Sequence, residues 1–71
     1  MNFSQALENI KDGSRAFRAG WNGKGMFVAL AQAPETSFIT QPYLYMFTAQ
    51  GERVPWLASQ SDILADDWAI V

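Results

Sequence analysis

The chain has no cysteine and no histidine. No disulfide can staple it, and the two residue types that build most structural zinc sites are missing. The same absences remove the commonest proton shuttle and the thiol nucleophile from any catalytic scheme. Cations are scarce: five Lys and Arg stand against seven Asp and Glu, for a formal net charge of −2. Five cations cannot form the basic stripe with which proteins usually neutralise a nucleic-acid polymer. A small ligand with one or two phosphates needs far fewer. No apolar run approaches the roughly 20 residues of a membrane span, and the opening Met-Asn-Phe-Ser-Gln lacks the basic region and apolar core of a signal peptide. These features predict a soluble cytoplasmic protein that engages neither a membrane nor a nucleic-acid polymer.

What the chain has in excess is apolar surface. Of its 71 residues, 49% are hydrophobic and 14% aromatic. A single domain of this size hides only about 60% of the surface its unfolded chain exposes. A homo-oligomer that buries some of the aromatics between subunits resolves the surplus.

Phe3, Ala6, Leu7 and Ile10 fall at helical spacing and form one apolar stripe. Asn2 can cap that helix with Gln5 as its capping-box partner, Ser4 is a rival cap, and Gly13 is placed to end it after Asp12. Ser14 to Ala19 reads as a first strand, with Phe17 as its core residue and Arg18 emerging beside the loop that follows. Met26 to Ala31 is an unbroken apolar run of strand length, which suits a central strand buried on both faces. Gln32 to Gln41 reads as a loop interrupted by Pro34, in which Phe38 and Ile39 suit a short edge strand, a fold back onto the core or a contact with another subunit.

Pro42 to Thr48 is the strongest strand signal, placing Tyr43, Tyr45 and Phe47 on one face. Ala49 to Glu52 turns the chain, and Arg53 to Trp56 pairs back as a hairpin partner, with Pro55 confining it to an edge or ending the ladder. Ser59 followed by Asp62 opens a short helical turn. Asp66 and Asp67 read as a solvated lead-in to a last strand, Trp68 to Val71. The fold class is therefore α+β: an N-terminal helix on a small antiparallel sheet, with a short helical turn near the C-terminus.

Arg18-Ala-Gly-Trp-Asn-Gly-Lys-Gly-Met26 is the stretch richest in binding chemistry. It packs three glycines, an indole, an amide and two cations into nine residues between two strands. Glycines let a ligand approach the main chain, Trp21 offers a π-face and Lys24 a point charge. The same composition suits a plain hairpin loop turned at Asn22-Gly23. The second informative stretch is Trp56 to Leu64, where Asp62 is placed to accept hydrogen bonds from a ribose hydroxyl or a base N–H. No nucleophile–base pair emerges, and the P-loop pattern is absent. Binding without turnover fits these residues better than catalysis, and no cofactor is implied. Glu52, Asp62, Asp66 and Asp67 are the carboxylates available to a metal-dependent alternative.

Arg18 to Met26, the Pro42-Tyr-Leu-Tyr-Met46 strand and the run Val54 to Trp68 together resemble the small phage domains of the second type of Thoeris anti-defence proteins. The resemblance covers nearly the whole chain, as a single domain over residues 1–71. It implies a homotetramer that acts as a sponge in the cytoplasm of the infected bacterial host. Such a sponge sequesters the glycocyclic ADP-ribose signals of TIR-domain immune proteins, and in some members cyclic dinucleotides, without cleaving them. Carried onto this sequence, Trp21 would lie against a base, with Asn22 and the Gly23, Lys24 and Gly25 segment at the ribose and phosphate edge. Arg18 and Trp56 would flank the pocket. Ser59, Gln60 and Asp62 would complete it through hydrogen bonds to sugar or base, from the same subunit or a neighbouring one. A different class of function is a protein-binding inhibitor that presents the Tyr43, Tyr45 and Phe47 face to a host enzyme.

Overall fold

Both ends of the first helix are closed by their own sequence. In a computed structural model describing residues 1–32 and 41–71, α1 spans Phe3–Lys11. Asn2 is its cap: the Asn2 side chain accepts from the Gln5 N–H at 2.9 Å, and the Gln5 side chain accepts from the Asn2 N–H at 3.0 Å. At the other end Gly13 takes a φ of +102°, a left-handed conformation that a side chain resists. The Ser14 N–H then reaches the Asn9 carbonyl and the Gly13 N–H the Ile10 carbonyl, each at 3.0 Å. That pairing is the Schellman closure, and it points the chain into the sheet.

The sheet contains β1 (Ala16–Arg18), β2 (Phe27–Ala31), β3 (Tyr43–Phe47), β4 (Arg53–Pro55) and β5 (Trp68–Ile70), with a second short helix, α2 (Gln60–Leu64), before β5. Its order is β4-β3-β2-β1-β5, and every neighbouring pair is antiparallel. The α+β class expected from the sequence is the observed one. β2 sits centrally, with Val28 and Ala29 buried on opposite faces. β4 is an edge strand, as Pro55 allows. Phe38 and Ile39 lie outside the described residues.

Alternation along the strands divides the sheet into two unlike faces. One is covered by α1, whose Ala6 and Ile10 form a dry cluster with Ala16, Val28 and Trp68. The expectation that Phe17 supplies the core from β1 is corrected here. Ala16 pairs with Val28 and with Ile70, so it shares their face, and it is fully buried. Phe17 points to the other side and is half-buried. The alternation in this strand is too weak to choose a face and residue size favoured Phe17, whereas close approach of a helix favours the smaller Ala16.

The second face carries Phe27, Tyr45 and Phe47. Phe27 lies opposite Phe47 in the β2–β3 register, and their rings stack at 5.1 Å and 9°. Arg15 sits over Phe27 at 4.9 Å and Arg53 over Tyr45 at 5.4 Å, so cations frame the aromatic row. Both helices lie on the opposite side, α1 against β1, β2 and β5, and α2 against α1. Among the described residues no element covers this face.

Candidate functional site

The loop from Ala19 to Met26 joins β1 to β2, which share the register pair Ala16 and Val28. A tight type I′ turn at Asn22-Gly23 would need φ > 0 at both residues. Neither shows it: among the described residues no non-glycine has positive φ, and in this loop Gly25 does, at +76°. Gly23 is required for a different reason. A Cβ there would meet the Met26 sulfur and come within 2.9 Å of the Ala49 Cβ, so Gly23 packs the loop down onto the β3–β4 turn.

The other end of the loop is held by two aspartates distant in sequence. Arg18 Nε donates to Asp67 Oδ1 at 2.8 Å, and Arg18 Nη1 donates to Asp62 Oδ1 at 2.9 Å. The Gly20 N–H donates to Asp67 Oδ2 at 2.8 Å, and the Ala19 N–H to the Asp67 carbonyl at 3.1 Å. Trp21 closes the turn with its N–H to the Arg18 carbonyl. Its indole N–H donates to Asp62 Oδ1 at 3.2 Å, and its ring stands edge-on to Trp68 at 5.4 Å and 79°.

Asp62 reaches this position because Ser59 caps α2: the Ser59 hydroxyl accepts from the Asp62 N–H at 3.1 Å, leaving the carboxylate to turn toward Arg18. Partial burial disfavours the charge on Asp62, yet hydrogen bonds from Arg18, Trp21 and Ser59 outweigh it and its pKa falls below the ordinary value. The Arg18 hydrogen bond does the same for Asp67 against its desolvation, with help from Gly20. Arg18 is held more firmly protonated by Asp67 and then Asp62. All three groups are charged at neutral pH.

Where the loop meets the uncovered sheet face there is a cleft of about 490 Å³. The loop contributes Trp21, Gly23, Lys24 and Gly25 to its lining and the sheet side contributes Arg15, Phe17 and Phe27, together with Arg18, Ala19, Met26 and Val71. The volume falls within the range of small-ligand pockets. Three of the chain's five cations, Arg15, Arg18 and Lys24, gather around it. Arg18 is neutralised by its two aspartates. Among the described residues Arg15 and Lys24 make no salt bridge, so the cleft offers a ligand two cations on an acidic protein.

The structure therefore divides the candidate residues. Arg18, Trp21, Gly23, Lys24 and Gly25 line one cleft, and Asp62 stands behind it, bonded to Arg18 and Trp21. Asn22 is exposed and does not line it. Trp56 packs on Phe3 at 5.9 Å and on Trp68 at 6.0 Å, on the helix-covered side. Ser59 and Gln60 are exposed at the start of α2, away from the cleft of their own chain. Arg15, Phe17 and Phe27 are among the lining residues that the sequence did not single out. For Arg15 and Phe17 the signal lay in their alternation along the run Ser14 to Ala19, which sets both on one side of the chain. Asp67, expected to be a solvated lead-in, is instead doubly bonded.

The family model described as Tad2-like, a Thoeris anti-defense 2-like domain, matches residues 1–71. The chain belongs to this family. It is also similar to the protein named Thoeris anti-defense 2 of Bacillus phage SP01, at 36% identity over 84 residues, which cover all of this chain and 94% of that relative. Membership supports a phage role against the Thoeris defence. The geometry of the cleft bears on how such a role could be carried out.

Proposed function

We propose that this protein opposes Thoeris by binding and sequestering a cyclic nucleotide signal of the glycocyclic ADP-ribose class, without cleaving it. The observation that carries this reading is the juxtaposition in one cleft of an indole wall, a glycine-rich main chain and two cations without salt-bridge partners among the described residues. A base stacks on Trp21, the sugar edge runs along Gly23 to Gly25, and the phosphates lie between Lys24 and Arg15. One stacked base contributes about 1–3 kcal/mol. Each charge-assisted hydrogen bond to phosphate adds roughly 1.5–3 kcal/mol before association costs. A few such contacts in a preformed cleft reach nanomolar affinity, about −12 kcal/mol, without a large basic field.

Sequestration rather than turnover suits the side chains present. The carboxylates nearest the cleft, Asp62 and Asp67, are already engaged by Arg18 and are poor bases in that state. Ser59 and Gln60 can act on a ligand from a second copy of the chain, since they lie outside their own cleft. A homotetramer fits the half-exposed aromatic face and the exposed Leu57 and Leu64, which are 93% and 80% accessible. The cyclic dinucleotides are a second ligand class of the same chemistry. The uncovered row of Tyr45 and Phe47 is what favours the competing reading, a protein-binding inhibitor.

Titration calorimetry with glycocyclic ADP-ribose isomers and a panel of cyclic dinucleotides tests the proposal, followed by heat release and mass analysis of the bound compound. The expected result is tight binding of at least one compound and its recovery intact. No binding across the panel, or recovery of a hydrolysed product, would overturn it.

A further inference from the structure

We infer that Asp67 is the positioning residue of the cleft, setting the angle at which Trp21 is presented to a ligand; this rests on the cleft being the binding site. Asp67 Oδ1 takes Arg18 Nε while Oδ2 takes the Gly20 N–H, so one carboxylate fixes both the strand end and the turn that carries Trp21. Gly20 is matched to that role: a Cβ at this position would lie 2.9 Å from Asp67 Oδ2, too close for a side chain. Arg18, oriented from Asp67, hands its second donor to Asp62 Oδ1, the oxygen that also receives the Trp21 indole N–H.

The chain of contacts therefore runs from Asp67 through Arg18 and Asp62 to the indole nitrogen, and in parallel through Gly20 along the backbone. The ring also packs against Trp68 in a T-shaped pair. Trp68 directly follows Asp67, and its own indole N–H donates to the Asp62 carbonyl at 2.9 Å, so the lead-in to β5 and the start of α2 are braced together. A ring fixed by its N–H, its packing on Trp68 and its backbone has little rotamer freedom left to lose when a base stacks on it. Asp67 does not line the cleft, so its action on a ligand is indirect.

Asparagine is the discriminating substitution. Asp67→Asn is nearly isosteric, but it offers one acceptor oxygen where two donors now bond, and its amide faces one of them. The test is a double-mutant cycle of Asp67→Asn and Trp21→Ala, read as affinity for a glycocyclic ADP-ribose isomer by calorimetry. Asp66→Asn serves as the control, because Asp66 is exposed and outside the cleft. Asp67→Asn is expected to weaken binding at least tenfold in the native background and by less than threefold once Trp21 is alanine. Asp66→Asn leaves binding unchanged.

A second measurement needs no ligand. The Trp21 indole N–H resonance of the unliganded protein should move toward its free-tryptophan position and exchange faster with solvent in Asp67→Asn, while the Trp56 indole resonance stays put. Equal losses from Asp67→Asn in both Trp21 backgrounds, or an unmoved Trp21 resonance, would overturn the inference. Failure of the native protein to bind would overturn the sequestration reading instead, with the resonance shift still deciding whether Asp67 positions Trp21.

Discussion

The two faces of the sheet solve opposite problems. On the covered face α1 closes over small and branched side chains, and the indole of Trp68 is buried to 2% exposure with its N–H satisfied by the Asp62 carbonyl. On the other face Phe27, Tyr45 and Phe47 remain half-exposed, and arginines rather than a helix lie over the rings. One face spends its apolar surface on folding, and the other keeps it available. Trp21 belongs to both: it packs against the core through Trp68 and also walls the cleft. Rigidity at the cleft therefore comes from the covered face, through Arg18 and its two aspartates.

The largest expected effect lies on the covered face. Trp68→Ala should cost about 3–5 kcal/mol, because it empties a fully buried site and removes one of the two donors to the Asp62 carbonyl. Urea denaturation followed by circular dichroism checks it. A loss below 1 kcal/mol would mean that Trp68 is not the keystone of that face. Next in size is Gly25→Ala in the loop. Nothing lies within 4 Å of the added methyl, so the whole effect is the strain of a left-handed φ, about 1–2 kcal/mol.

Smaller still is Phe47→Ala on the open face. Its ring stacks on Phe27 and is not sealed in, so the monomer should lose only about 1 kcal/mol. Sedimentation of the same variant sharpens the comparison: if the open face joins copies of the chain, Phe47→Ala should shift the population toward monomer. Unchanged self-association would place the contact elsewhere.

The narrowest effect is in pH. Folding lowers the pKa of Asp62 and of Asp67, so the stability they contribute is fully present above their unfolded value of 3.8 and is lost as pH falls through the lowered native values. Removing the guanidinium with Arg18→Gln should flatten that acid limb while leaving the profile near neutrality similar in shape. Denaturation midpoints collected between about pH 5 and pH 2 check it.

Much of the fold was legible because its signals are local. The capping box at Asn2 and Gln5, the glycine closure at Gly13 and the Ser59 cap all act within a few residues, and each forms as read. Pro55 allowed β4 either an edge position or the end of the ladder, and the strand lies at the edge. What stayed hidden is long-range. Arg18 meets Asp62 and Asp67 across 44 and 49 residues of sequence, and no spacing in a single chain announces such a pairing. For the same reason Phe17 was expected in the core: which face of a three-residue strand meets the helix depends on its neighbours, here Val28 and Ile70. In the candidate site, the loop half from Arg18 to Gly25 was readable from composition, while the Arg15, Phe17 and Phe27 wall comes from the sheet beneath it.

The claim that Trp21 turns core rigidity into ligand affinity is tested most directly by one titration. Native protein and Trp21→Ala are compared for binding of a glycocyclic ADP-ribose isomer, with the folded state of each verified beforehand. The account predicts a loss of about tenfold to a hundredfold in affinity, the worth of one stacked base. Equal affinity in the two proteins would contradict it.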